Sequence, residues 1–449
     1  MIDTSGFEGP RGGIFGMGNV LAFQNDPLNF LSKLAHDYGD IIHFPFGPFQ
    51  AYLLKHPEYV HEAIVTQVSK LHKFERVIHP FEKFVGRGTF LLEGDEWKRQ
   101  HKLVQPAFHT KRIMSYIDTI LNHTERMIAD WEEGQVYDMA HEMHKVTMAT
   151  IGEILFNVED IEKEAGNLAD AIAILSDMTV RESSALMPVP DWVPTPRNLK
   201  ENHAMETLDK FMMDIIKERQ QANVDKGDVL SALIDTVDTE GEKLTDKQIR
   251  DELLTLFVAG HETTAGLLAW CFYLLTEHQE IQDKLATEAI TTLNGEMPTL
   301  ETLGTLKYTE QVLLETLRLY PPVWMLPTRS PIEDITIGGH VIPKGSMVFI
   351  SPWVIHHDPR FFDDPQTFDP DRFSEGYKKR IPSFAFFPFS GGSRVCIGQH
   401  LAMMEAQIIL STVIQNFKLE LEPDQEIIPQ PLVTVALKNG LKIRVHKRS

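Results

Sequence analysis

The sequence predicts a mainly α-helical protein with small β-sheets, an α+β fold. Three observations carry this expectation. From about residue 95 to about residue 290, apolar residues recur at three- and four-residue spacing, the period of a helix that buries one face. Short strand-like runs separated by glycine and proline turns lie towards both ends of the chain. No internal repeat or low-complexity linker divides it; the length of 449 residues alone suggests two or three domains, although large single enzymes reach this size.

The composition is that of a packed globular chain, 43% hydrophobic and 24% charged. A formal net charge of -21 argues against nucleic acid or an anionic membrane surface as a partner. Two cysteines cannot build a disulfide framework, which points to a reducing compartment. No apolar run reaches the roughly 20 residues that a membrane-spanning helix needs. Met1 to Asn19 is glycine-rich and carries acids, unlike a signal peptide. The expectation is a cytoplasmic chain with no membrane insertion.

Taken in order, Ile41-Ile42-His43-Phe44 and Ala51-Tyr52-Leu53-Leu54 flank Phe46-Gly47-Pro48 and predict a hairpin. The helical stretch is broken at Met187 to Pro196, whose prolines exclude helix interior. Thr245 and Gln248 have capping-box spacing and open a long helix. Within it, the apolar run Leu253 to Val258 meets Ala259-Gly260-His261-Glu262-Thr263-Thr264. A polar cluster there is costly to bury without a purpose. A threonine hydroxyl bonded to the carbonyl one turn back bends a helix, here opening a notch beside Gly260. His261 reads as structural. Glu315 and Arg318 sit three apart on one helix face, a spacing that permits a salt bridge and also arises by chance. Strands return around Ile337-Gly338-Gly339 and Pro343-Lys344-Gly345. Leu432 to Val445 predicts a last hairpin turning at Lys438-Asn439-Gly440.

The most informative stretch is Phe389-Ser390-Gly391-Gly392-Ser393-Arg394-Val395-Cys396-Ile397-Gly398, ahead of a helical run from Gln399 to Phe417. Glycines let backbone N–H groups turn towards the sulphur. Those groups, with the positive end of the following helix, favour a thiolate. Haem iron is one partner that suits a caged thiolate. From the loop alone, a buried structural cysteine is the alternative.

The spacing Phe389…Gly392…Arg394…Cys396…Gly398 resembles the haem-binding signature of the cytochrome P-450 monooxygenases at every defined position. Ala259-Gly260-His261-Glu262-Thr263 is similar to the family's oxygen-activating helix motif, and Glu315 to Arg318 with Pro370-Asp371-Arg372-Phe373 matches two further marks. The resemblance implies haem b held between a long distal helix and the cysteine loop, with Cys396 as axial ligand of the iron. It implies that Thr263 hydrogen-bonds dioxygen (O2) and that Glu262 relays protons to it. Arg394 and Arg329 are implied as propionate contacts. So is Trp97, although His101 stands where the family's Trp-x-x-x-Arg element has arginine. The resemblance further implies that Phe389, Gly392, Gly398 and Ala259 shape the haem site and that Glu315, Arg318 and Arg372 form a structural network. The proline-rich break is implied to lie in the lid over the substrate entrance.

The implied activity is hydroxylation of C–H bonds in a hydrophobic compound, with electrons from NAD(P)H arriving through a separate ferredoxin or flavodoxin-type partner. No fused reductase or anchor is expected, and the chain is expected to be a monomer. A peroxide-driven peroxygenase and a non-enzymatic haem sensor are the alternatives. Lys98-Arg99, Lys102, Lys111-Arg112 and Lys378-Lys379-Arg380 read either as solvated faces or as a docking patch for an acidic partner. Pocket candidates are Gly88, Thr89, Phe90, Phe257, Ala259, Leu326 and the hairpin at Val433 to Val435, all of which also suit plain core. No arginine occurs between Arg11 and Arg76 to hold a carboxylate from the first hairpin. The substrate expected is lipid-like or terpenoid, fatty acid first.

Overall fold

The computed structural model describes residues 8–157, 161–184, 189–238 and 241–448. Met187 and Pro188 of the proline-rich break lie outside the described residues, as do the first seven of the chain. Within them the α+β expectation holds: helices make the bulk and four small sheets lie among them.

The chain is built round one helix, Asp246–Glu277. Thr245 starts it with a complete capping box, its Oγ1 accepting from the Gln248 amide while its own amide donates to Gln248 Oε1 at 2.9 Å. Its buried residues occur all round its circumference, which marks a helix of the interior. The flanking helix Met139–Phe156 packs along it, closely because Gly260 has no side chain. A Cβ there would meet Ile151 Cγ1 at 2.7 Å. The Thr263 hydroxyl donates to the Ala259 carbonyl at 2.8 Å, yet the helix runs unbroken through this point. Gly260 therefore serves helix packing.

Ile161–Ser184, which we call the roof helix, walls the cavity beside the central helix and packs on Glu75–Val85, which we call the mouth helix. Gln399–Asn416, the cysteine-side helix, packs from beneath. The expected first hairpin forms from Ile41–Phe46 and Phe49–Leu54, turning at Gly47-Pro48. It continues into a five-stranded sheet through Met347–Ile350, Arg329–Pro331 and Leu71–Lys73. Among the described residues no helix is long and apolar enough to cross a membrane.

The C-terminal hairpin is a correction. Pro429–Pro431 pairs with Val435–Leu437, so the reversal falls at Leu432 to Thr434, ahead of Asn439-Gly440. Lys442–Lys447 joins Phe417–Leu421 and Val136–Asp138 in a different sheet. The reason lies in the Val435 backbone. Its amide donates to the Pro322 carbonyl at 3.0 Å and its carbonyl accepts from Trp270 Nε1 at 2.9 Å, committing that strand to the central helix.

Glu315 and Arg318 are fully buried and joined by two bonds of 2.7 Å. Arg318 also donates to the carbonyls of His356, Pro365 and Thr367, and Glu315 accepts from the Asp369 amide at 3.0 Å. Arg372 approaches Glu315 at 3.3 Å, completing the expected network. Arg318→Met would leave a carboxylate without its main partner in the core. We expect a loss of about 3–5 kcal/mol of stability, read as a lowered urea midpoint with unchanged slope.

Candidate active site

The cysteine loop is shaped by backbone conformations that glycine allows. Gly392 has φ 61°, and a Cβ on it would sit 2.7 Å from the Ile64 carbonyl oxygen. The Cys396 amide donates to the Phe389 carbonyl at 2.9 Å, closing the loop. Gly398 adopts an ordinary φ of -90°, so its backbone does not require glycine. A Cβ there would instead project to 4.0 Å from Cys396 Sγ, into the space beside the sulphur. Burial pushes the Cys396 thiol pKa up, while the nearby amides of Gly398 and Gln399 pull it down. Cys396 is nonetheless exposed on one side.

A cluster of cations forms beside this loop. Arg394 and Arg329 both pair with Glu93, Arg329 at 3.2 Å, and Lys73 Nζ reaches the same carboxylate at 2.8 Å. The Arg394 guanidinium lies 4.0 Å from the Trp97 ring centroid, and Trp97 stacks on His101 at 5.0 Å. Burial, with Arg329 and Arg394 close by, lowers the Lys73 pKa to about 7 despite Glu93. Burial also favours the neutral form of Glu93, but the three cations outweigh it and hold its pKa below the usual range. Two guanidiniums and a half-titrated lysine against one carboxylate leave a surplus of positive charge at neutral pH. The structure thus brings together Arg394, Arg329, Trp97 and His101 as the sequence anticipates. Lys73 and Glu93 were not anticipated: each lies in a short segment whose neighbours only the five-stranded sheet supplies.

Beside the Thr255, Val258, Ala259 and Glu262 side of the central helix is a cavity of about 380 Å³ with largely apolar walls. Phe90, Leu326, Ala259, Glu262 and Thr263 line it, and Arg76 and Glu262 are its charged lining residues among those described. Burial raises the Glu262 pKa to about 7, opposed by one hydrogen bond from Ser176 of the roof helix at 3.2 Å. Neighbouring His261 is buried against His144 and accordingly kept neutral, its pKa lowered to about 3, in keeping with a structural part.

Four pocket expectations are corrected, at Phe257, Val435, Gly88 and Thr89. Phe257 is fully buried on the opposite side of the helix, its ring 5.6 Å from Phe156, so Val258 takes its place on the wall. Helical geometry turns adjacent residues about 100° apart, and an unbroken apolar run hides which one faces in. Val435 is fully buried by its ties to Pro322 and Trp270, and Pro431 to Thr434 line the cavity instead. Gly88 and Thr89 also serve the core. A Cβ on Gly88 would strike Thr255 Oγ1 at 2.3 Å, and Thr89 binds buried Glu252 through amide and hydroxyl.

Sequence reasoning also missed Arg76. It comes from the mouth helix, not the hairpin, but its guanidinium reaches within 5.9 Å of the Phe49 ring on the hairpin's second strand. Glu405 was missed as well, although a lone acid within the apolar run after Cys396 was a usable signal. It is buried on the cysteine-side helix, facing Thr150 and Thr264, and burial raises its pKa to about 8.

The family model for cytochrome P450 matches residues 8–444. A cyclooctat-9-en-7-ol 5-monooxygenase of Streptomyces melanosporofaciens is 33% identical over 91% of this chain and 88% of its own length. A cyclooctatin synthase of the same organism is 32% identical over 94% and 92%. The pentalenene oxygenase of Streptomyces avermitilis is 30% identical over 96% of each. With a cysteine loop and an acid–alcohol helix of this geometry, the chain belongs to the cytochrome P450 family. It is a haem-thiolate monooxygenase that uses haem b and O2, with reducing equivalents from NAD(P)H delivered through partners.

Glu405 makes the stability of this site depend on pH. The folded chain keeps its proton up to about pH 8, whereas an unperturbed glutamate loses it near 4.5. Between these values the unfolded state binds fewer protons, so stability falls as pH rises. In Glu405→Gln we expect the melting temperature to drop by a few degrees less than in the parent between about pH 5 and about pH 8.

Proposed function

We propose that Cys396 is the axial ligand of the haem iron and that Arg394, Arg329, Trp97, His101 and Lys73 hold the propionates. Three features support this fit: the sulphur with two amides near it, the space a Cβ on Gly398 would fill, and surplus positive charge matching a dianionic porphyrin. Bound there, haem would supply the activation of dioxygen. The chain supplies proton handling, and the observation that carries this reading is Glu262 and Thr263 side by side on the wall of an apolar cavity. Glu262, half-titrated near neutral pH, releases and regains a proton without a large penalty either way. The Thr263 hydroxyl, anchored to the Ala259 carbonyl, is the adjoining relay group. Phe389, Gly392 and Gly398 shape the loop, and the sequence forms one haem domain, 1–449.

The substrate we infer is a compact terpenoid-like compound hydroxylated at a C–H bond. The apolar walls suit it, and two relatives bear the names cyclooctat-9-en-7-ol 5-monooxygenase and pentalenene oxygenase. A fatty acid is the second reading, favoured by Arg76 at the cavity wall. The electron donor is a ferredoxin or flavodoxin-type protein meeting a monomer in the cytoplasm. Lys102, Lys111, Lys378 and Lys379 are exposed for such a contact. Lys98 and Arg99 contribute less, because Asp95 and Asp238 pair with them.

Two measurements test these readings. The reduced protein under carbon monoxide should show the long-wavelength Soret band of thiolate-ligated haem, and Cys396→Ser should lose it; the short-wavelength band in the parent would overturn the ligand assignment. Spin-state titration with pentalenene and with palmitate separates the substrates. The terpenoid reading expects pentalenene to bind and Arg76→Leu to leave its affinity within about twofold. The fatty-acid reading expects palmitate affinity to fall at least about tenfold in that variant.

A further inference from the structure

Among the described residues Glu262 has a single polar partner, and that partner is neutral and belongs to a different helix. Ser176 lies in the middle of the roof helix, buried but in the cavity wall, and its hydroxyl donates to Glu262 Oε1 at 3.2 Å. The charged groups near by are engaged elsewhere. On the roof helix, Arg181 pairs with Glu201, Glu182 pairs with Lys83 of the mouth helix, and Asp177 is exposed. On the flanking helix, His144 faces His261. Arg76 sits against Phe49 of the hairpin. Among the described residues the acid of the proposed relay is therefore held by one hydroxyl, on the roof helix, and by no cation.

We propose that Ser176 is a positioning residue: its hydroxyl fixes the Glu262 carboxyl for proton delivery and ties that delivery to the seating of the roof helix. The inference rests on the reading of Glu262 as the proton-relaying acid. Donating to Oε1 leaves the other carboxyl oxygen to take and release the proton. The same bond favours the ionised form, so it moderates the rise that burial alone would cause. The roof helix is itself clasped at its far end, where Lys83 bonds Glu182 at 3.0 Å and Asp191 at 2.7 Å, and Ser183 donates to the Val77 carbonyl. A substrate that lifts this helix would lengthen the Ser176 bond, whereas one that fits beneath it would keep the acid ready.

The test uses the intact haem protein, after its carbon monoxide spectrum has shown thiolate ligation, so that loss of the ligand cannot be mistaken for failure here. The infrared carboxyl band of Glu262, assigned by its absence in Glu262→Gln, is titrated in the parent, Ser176→Ala and Ser176→Thr. We expect a midpoint near 7 in the parent, one higher by about one pH unit in the alanine variant, and the parent value in the threonine variant. With a surrogate ferredoxin and its reductase, the share of reductant released as hydrogen peroxide should rise severalfold in Ser176→Ala only. It should rise no further when that change is added to Glu262→Gln. An unmoved midpoint, or equal peroxide release in alanine variant and parent, would reduce Ser176 to a piece of cavity wall. If Glu262→Gln itself leaves peroxide release unchanged, the underlying relay reading falls instead.

Discussion

The buried pair of Glu315 and Arg318 is the interaction on which the cysteine loop depends. Two charges removed from water are tolerable only when every donor and acceptor finds a partner. Here the partners are carbonyls and an amide of one long irregular segment, His356 to Asp369. His356 then passes the restraint on. Its Nε2 accepts from the Phe387 amide at 3.1 Å, two residues before the loop begins at Phe389. Burial, aided by the charges of His357 and Arg318, keeps that imidazole neutral and so able to accept. A segment with almost no secondary structure is fixed through one guanidinium, and the cysteine is positioned at its end.

The second organising feature is the apolar central helix. On its cavity side, burial leaves Glu262 in surroundings where neither ionised nor neutral carboxyl is strongly preferred at neutral pH. Glu405 follows from the same packing on the side of the cysteine helix, where no carbonyl or cation offsets its burial. Titration near neutrality thus comes from apolar packing with one or two hydroxyls, and not from ion pairing. The cluster round Glu93 works the other way, concentrating cations about a single carboxylate.

The sequence carried those parts of the site that are local in the chain. The cysteine loop, the capping box, the acid–alcohol pair and the Glu315–Arg318 spacing each lie within one turn or one loop, and all were legible. What was not legible depends on tertiary register. Val258 and Phe257 are adjacent and equally apolar, and only the flanking helix decides which faces the cavity. Lys73, Arg329 and Glu93 meet because three segments far apart in sequence converge at one sheet edge. The last hairpin was misplaced because Asn439-Gly440 is the stronger local turn signal, while the backbone ties of Val435 selected a different pairing.

That hairpin separates two tasks in one short stretch. Val435 is locked to the scaffold by its amide and carbonyl, whatever its neighbours are. Leu432, Val433 and Thr434 project from it into the cavity wall without helping to anchor the strand through their side chains. Substitutions at these three positions therefore reshape the cavity while the backbone ties of Val435 stay in place. Selection for a new substrate can proceed here by small steps, and a lineage can diversify its chemistry without first accumulating surplus stability.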